Sequence, residues 1–342
     1  MILHGRIVDQ LIDRQVRGTF QKEVVVAPGP VPLAMVRKRW AANDGGTIGT
    51  VLLIHGFGQN RYAWHLPSRS LANHLARAGF DVYNLDLRGH GRSRHLGAKR
   101  PAGVIEYIEE DLPIAIEEVQ RHAGTRPVFL VGHSLGGLVS YAAAPALGAA
   151  VGGIVSIGSP YHFTRGSYAL GGVALFMRAL SVVASGAGKR SNLPIFMGPM
   201  GVMMKAFRRV AEHPLYPIPL RGWHAGALEP HILEEHLRLA FDRASLAEMM
   251  NMFEWANDKQ FGGKARDVAR RFEAMDLPLL VIAGTNDDLA PPPSVRPAYL
   301  RSRSKDKTYR VLPLGHIDLL VGRDAPLMTW PLVASWMKKR VA

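Results

Sequence analysis

Gly132-His133-Ser134-Leu135-Gly136 is the stretch of this chain whose residue types and spacing most directly specify a chemistry. An apolar run from Val128 to Val131 precedes it, and the small-residue segment Gly137 to Ala144 follows. The pattern is a buried strand, a sharp turn and a helix. A serine on so tight a turn needs small neighbours, because its backbone is strained and packed closely against both flanking elements. The turn lifts the hydroxyl out of the sheet and aims the next helix N-terminus at it. A weak nucleophile thereby gains access and local positive potential. Ser134 therefore reads as a hydrolase nucleophile.

Such a serine needs a base, a group that orients the base, and donors for a developing oxyanion. Two late segments offer the first two. Leu279 to Ala283 reads as a strand leading into Gly284-Thr-Asn-Asp287-Asp288, and Val311 to Leu314 leads into Gly315-His316-Ile-Asp318. The order serine, aspartate, histidine puts each at the carboxyl end of a predicted strand, where open α/β sheets hold their ligands. His316 stands apart from the other histidines by that position, whereas Asp287 and Asp288 both remain open. Asp318 and Asp324 read as helix-start caps, and His133 as a packing residue. His55, Asp86, Arg88 and His90 read as loop-holding groups. Trp64 and His65 fit the pocket or the core equally well.

The elements that must position these groups follow from apolar patterning. Phe20 to Val26 and Val31 to Trp40 alternate on either side of Pro28-Gly-Pro30 and read as an antiparallel hairpin. Thr50 to Ile54, Phe80 to Asp86, Val128 to Val131, Gly152 to Gly158, Leu277 to Ala283 and Tyr309 to Pro313 read as further strands. Helical segments Ser70 to Ala78 and Val104 to Arg121 separate some of them. Alternating strands and helices imply right-handed crossovers and a mostly parallel, doubly wound α/β sheet covered on both faces.

Between about Tyr161 and Arg270 the strand rhythm stops. This stretch shows no good strand and several helical patches, notably Leu228 to Met252, and is longer than any ordinary connection. It reads as an inserted helical cap over residues 161–270, with 1–160 and 271–342 forming the core. Eight of the thirteen methionines fall in it: Met177, Met197, Met200, Met203, Met204, Met249, Met250 and Met252. Phe176, Phe196, Phe207, Phe253 and Trp255 are interleaved. Methionine suits adaptable apolar surfaces, so the stretch can line an acyl pocket as well as pack on the core. Leu170 to Ala187 is apolar but interrupted by Arg178 and glycines, and reads as a buried or interfacial helix rather than a membrane span.

These motifs together resemble the α/β-hydrolase-fold serine esterases and lipases, from about Val24 to the C-terminus. His55-Gly-Phe-Gly58 resembles the oxyanion loop of that family, and Asp86-Leu-Arg-Gly-His-Gly-Arg-Ser93 its turn after the next strand. His316-Ile-Asp-Leu-Leu-Val-Gly-Arg-Asp-Ala-Pro326 is similar to the acid lipase pattern around the catalytic histidine, and Glu110-Asp-Leu-Pro113 is close to a helix found there. The resemblance implies Ser134 as nucleophile, His316 as base and then acid, and Asp287, selected by its spacing from Gly284, as the orienting carboxylate. It implies the backbone N–H groups of Phe57 and Leu135 as oxyanion donors. The related polyhydroxyalkanoate synthases use cysteine, which this chain lacks.

Composition bounds the rest. At 342 residues with 47% hydrophobic content, the chain can build a sizeable core. With no cysteine, neither disulfides nor a thiol nucleophile can contribute. The formal charge of +14 is carried partly by runs such as Arg301 to Lys307 and Lys338 to Arg340, which suit a solvated face or peripheral contact with an anionic membrane surface. No nucleic-acid motif accompanies the charge, and no metal-ligand spacing or need for an organic cofactor is evident. His4, Arg6, Asp9 and Asp13 interrupt any signal-like apolar core, so a cytoplasmic location is expected. The expected activity is hydrolysis of lipophilic carboxylic esters. The same residues would serve an acyltransferase, and the fold could also host a non-catalytic binding protein.

Overall fold

Runs of valine, leucine and isoleucine without polar alternation build the centre of a nine-stranded sheet in the computed structural model. It describes residues 1–42, 46–124, 126–172, 174–175, 194–196, 210, 212–213, 220–257, 261 and 267–341. The strands in chain order are β1 (Ile2–Asp13), β2 (Val16–Ala27), β3 (Leu33–Trp40), β4 (Gly49–Ile54), β5 (Phe80–Asp86), β6 (Val128–His133) and β7 (Val151–Ile157). They continue with β8 (Pro194–Phe196), β9 (Arg243–Ser245), β10 (Leu279–Gly284) and β11 (Lys307–Leu312). The sheet order is β1-β2-β3-β5-β4-β6-β7-β10-β11. Pairing is antiparallel from β1 to β5 and parallel from β5 across to β11.

The chain runs from β4 outward to β5, then returns to place β6 on the other side of β4. That reversal leaves a crevice beyond the carboxyl ends of β4 and β6, the usual ligand position in such sheets. Helices cover both faces, and strand residues alternate between two cores. Leu52, Ile54 and Leu130 pack with the helices Leu112–Ala123 and Leu135–Leu147. Val51, Leu53 and Val131 pack with Leu71–Arg77 and Thr329–Lys338. Ser70 caps Leu71–Arg77, its hydroxyl accepting from the Asn73 N–H at 3.0 Å.

Three features differ from the sequence reading. The expected hairpin is present as β2 and β3, but β1 extends it by a further strand turning at Arg14, where φ is +50°. Most of β1 is exposed, so no buried apolar run marks it. The stretch read as strand-free contains a short antiparallel ribbon of β8 and β9. The patch Leu228 to Met252 is likewise not one helix. Pro230–Glu235 passes through a π-turn at His236–Ala240 into β9, and the helix Leu246–Asn257 follows. Long-range pairing displaces local helix propensity here: Phe241 bridges Gln59, and the Asp242 N–H donates to the Gly58 carbonyl at 2.8 Å.

Met177, Met197, Met200, Met203, Met204, Phe176 and Phe207, the Phe196 side chain, and most of Leu170 to Ala187 lie outside the described residues. Among the described residues, no helix is long and apolar enough to cross a membrane. The basic runs are partly neutralised: Arg301 pairs with Glu273 at 2.7 Å, and Arg340 Nε donates to Asp306 at 2.7 Å.

Candidate active site

Ser134 sits between β6 and the helix Leu135–Leu147 with φ +52° and ψ −119°. This is a sparsely populated conformation that typically costs about 1–3 kcal/mol for a residue with a side chain, and it persists where the surroundings impose it. Here they do. A Cβ on Gly132 would lie 2.3 Å from the Gly137 nitrogen, and one on Gly136 would lie 2.1 Å from the Ile54 carbonyl oxygen. The turn therefore presses against its own helix and against the end of β4. The Ser134 N–H donates to the Ile157 carbonyl at 3.0 Å, anchoring the turn to β7. Leu135 opens the following helix, so its N–H is one of the first-turn donors without an intrahelical acceptor.

His316 lies beyond β11 and is 6% exposed. Its Nδ1 is 2.8 Å from Asp287 Oδ2. The other Asp287 oxygen, Oδ1, accepts from the backbone N–H groups of Leu289 at 2.9 Å and Ala290 at 2.7 Å, which fixes the carboxylate after β10. A carboxylate on Nδ1 sets the tautomer that leaves Nε2 free to take a proton. Asp288 points elsewhere, pairing with Arg221 Nε at 3.2 Å.

Asp318 is a buried bracket rather than a second partner of His316. Its Oδ2 accepts from the Gly315 N–H at 3.0 Å and the His224 N–H at 2.7 Å, tying the loop after β11 to the inserted stretch. Its Oδ1 is buried without a partner. Burial pushes the carboxyl up to about 7, against the pull of those two N–H donors.

The segment after β4 supplies the facing wall. Gly56 and Phe57 line the same cavity as Ser134, and a Cβ on Gly56 would lie 3.2 Å from the Ser134 Cβ. Gln59 holds this loop: its Oε1 accepts from the Gly56 N–H at 3.2 Å, and its Nε2 donates to His236 Nε2 at 3.3 Å. Burial, and then the proximity of His316, pull His236 down to about 4, so it stays the neutral acceptor that Gln59 needs. His133, read as packing, also does positional work. Its Nε2–H donates to the His316 carbonyl at 3.1 Å, and burial keeps the ring well below its ordinary range and neutral. Nothing in the sequence marks Gln59, whose partner His236 lies 177 positions away.

The remaining polar residues hold loops, as their motif suggests. His55 Nδ1–H donates to the Gly56 carbonyl at 2.9 Å, and its Nε2 accepts from the Leu87 N–H at 3.2 Å. Asp86 accepts from the Arg61 and Arg92 N–H groups, both at 2.8 Å. Arg88 reaches Asp111 at 2.6 Å. His90 contacts the Tyr107 hydroxyl at 3.1 Å, and that hydroxyl also donates to Glu248. Trp64 is fully buried in the core, and His65 bonds the Ser70 hydroxyl at 2.8 Å.

Ser134, His316, Phe57 and His133 open onto one cavity of about 300 Å³. Apart from Gln59, its other side-chain walls are apolar and come partly from residues 161–270: Phe163, Leu170, Leu220, Phe241 and Met252, with Leu289 and Ile317. Met249 and Met250 instead pack beside Phe253 and Ala174. Among the described residues, no cluster of three or more His, Asp or Glu side chains could hold a metal ion.

Residues 49–176 match the family model described as alpha/beta hydrolase fold. A pimeloyl-[acyl-carrier protein] methyl ester esterase of Yersinia pestis is 30% identical over 114 residues, covering 33% of this chain and 38% of that protein. A monoacylglycerol lipase of Mycolicibacterium smegmatis is 34% identical over 96 residues, covering 28% of this chain and 31% of that protein. The chain thus matches well under half the length of these relatives. Among solved structures, a monoacylglycerol lipase from Paleococcus ferrophilus superposes with a TM-score of 0.60 at 23% identity, over 86% of this chain and 96% of that one. A thermostable carboxyl esterase from Bacillus coagulans gives 0.64 at 17% identity, over 94% and 99%. At such identities the likeness is one of fold.

Proposed function

The chain has the α/β-hydrolase fold, and from that premise we propose that it is a carboxylic ester hydrolase acting through an acyl-serine intermediate. Ser134 Oγ attacks the ester carbonyl carbon while His316 Nε2 takes the hydroxyl proton. The tetrahedral oxyanion is received by the N–H groups of Phe57 and Leu135, donors of a kind typically worth ~3 kcal/mol each. Collapse breaks the bond to the alcohol, which leaves with the proton from His316. Water, deprotonated by His316, then repeats the sequence on acyl-Ser134 and releases the acid. Asp287 holds the imidazole tautomer and stabilises the imidazolium between steps.

The observation that carries this reading is the 2.8 Å contact of Asp287 with His316, on a ring lining the same cavity as the strained Ser134 turn. The apolar walls favour an acyl chain as the group bound, and the relatives named as a methyl ester esterase and a monoacylglycerol lipase point the same way. Residues 161–270 then act as a cap over that chain, tied to the core through His224, Phe241 and Glu248. Steady-state hydrolysis of p-nitrophenyl butyrate tests the proposal. Ser134→Ala is expected to lose at least about a thousandfold in kcat while keeping the wild-type melting temperature. Turnover surviving in a folded Ser134→Ala would remove the serine from the mechanism.

A further inference from the structure

A second cavity, of about 600 Å³, opens under the N-terminal hairpin and shares no lining residue with the pocket around Ser134. We infer that it binds a phosphate monoester, with Arg6, Lys22 and Arg92 on the phosphate and Asn84 accepting a hydrogen bond from a hydroxyl of the same molecule.

Arg6 on β1 stands directly opposite Lys22 on β2, and Lys22 directly opposite Lys38 on β3. Like charges in directly opposed positions repel, so Arg6 facing Lys22 calls for an anion, whereas burial holds the Lys38 amine well below its ordinary value. No Asp or Glu is among the described residues lining the cavity. Lys38 is satisfied by neutral groups, Asn73 Oδ1 at 2.6 Å, Gln10 Oε1 at 2.7 Å and His65 at 3.1 Å. The Arg61 charge is answered by Asp86 at 2.5 Å. Among the described residues, Arg6, Lys22 and Arg92 have no ion-pair partner. Burial, followed by the fields of Arg6, Arg61 and Arg92, pulls the Lys22 amine below its ordinary value.

Several uncompensated cations match a dianion better than a carboxylate, and guanidinium forks fit phosphate oxygens in pairs. The hydroxyl follows from Asn84, which is 2% exposed. Its Nδ2 donates to the Arg61 carbonyl at 2.9 Å, which fixes the amide orientation and leaves Oδ1 buried without a donor. A bare inorganic ion would fill little of the space, whereas a phosphorylated polyol reaches both the cations and Asn84. The phosphate can arrive on a soluble molecule or on a lipid headgroup. Leu3 at the cavity is 47% exposed, an apolar edge suited to a lipid.

The test titrates the whole chain with sn-glycerol 3-phosphate by calorimetry at low ionic strength, with glycerol as control. In parallel, it is sedimented with phosphatidylcholine vesicles containing or lacking phosphatidic acid. Wild type is expected to bind, and Arg6→Gln/Lys22→Gln to bind at least about tenfold more weakly. Without anion the double variant should melt no lower than wild type, since repulsion has been relieved, and glycerol phosphate should raise the melting temperature of wild type only. Saturable binding of free glycerol phosphate supports a soluble ligand. Binding only to phosphatidic acid vesicles supports a lipid one. Binding to neither, or equal binding by the double variant, overturns the inference.

Discussion

The proton inventory of the site turns on which nitrogen of His316 is held by a carboxylate. Asp287 meets Nδ1 at 2.8 Å and is itself held by two backbone N–H groups, while Asp288 is committed to Arg221. Asp287→Asn is therefore expected to lower kcat on p-nitrophenyl butyrate by about 10⁴, because the amide favours the wrong tautomer. Asp288→Asn should change kcat by less than about tenfold. The reverse ranking would transfer the orienting role. The places of Ser134 and His316 beyond strand ends were legible because each follows an apolar strand run. Between the adjacent aspartates, the apolar pattern gave no preference; it is Asp287 that contacts His316. Asp318 gives a separate pH signature. Its folded value, raised to about 7 from an ordinary 3.8, means the folded state holds a proton that the unfolded chain has released. Stability from this group is fully present below about pH 3.8 and is lost as pH rises through about 7. Urea unfolding of Asp318→Asn, which keeps an acceptor for Gly315 and His224, should show a flatter stability profile between those limits than wild type. An unchanged slope would place the proton elsewhere.

At the scale of elements, the nucleophile turn is a contact between backbones. Gly136 meets the end of β4 so closely that Gly136→Ala must displace one of the two elements. Overpacking of this kind typically costs about 1–3 kcal/mol, and backbone on backbone leaves little to give. The variant should melt several degrees lower and label poorly even where folded. The turn after β5 depends in the same way on charge. Asp111 is fully buried against Arg88, so Arg88→Ala strands a carboxylate and should cost about 3–5 kcal/mol in urea unfolding. Replacing both by apolar residues of similar volume should recover most of that loss. The strands of the parallel half were readable because burial on both faces writes continuous apolar runs. β1 was not, because its exposed residues carry no such run. The β8–β9 ribbon and the broken segment after Leu228 escaped for a different reason: their pairing partners are distant in sequence.

For the whole molecule, the proposed function makes the walls contributed by residues 161–270 the part that selects the ester. Phe163, Leu170, Phe241 and Met252 close an apolar cavity of about 300 Å³ over Ser134. Each methylene an ester buries there is worth ~0.8 kcal/mol, so kcat/KM should climb roughly fourfold per added carbon until the cavity is full, then level or fall. Met252→Trp should bring that plateau to a shorter chain, read from a p-nitrophenyl ester series, and a series unchanged by the substitution would put the acyl group elsewhere. Which methionines face the serine was not readable from the sequence: among the described ones, Met252 lines the cavity, whereas neighbouring Met249 and Met250 pack beside Phe253. Each of these activities requires an activated Ser134. Intact-mass spectrometry after incubation with a fluorophosphonate tests this most directly. It should show one adduct, mapping to Ser134 and absent from Ser134→Ala. A folded wild-type protein that takes up no adduct, or a Ser134→Ala variant that still does, would contradict it.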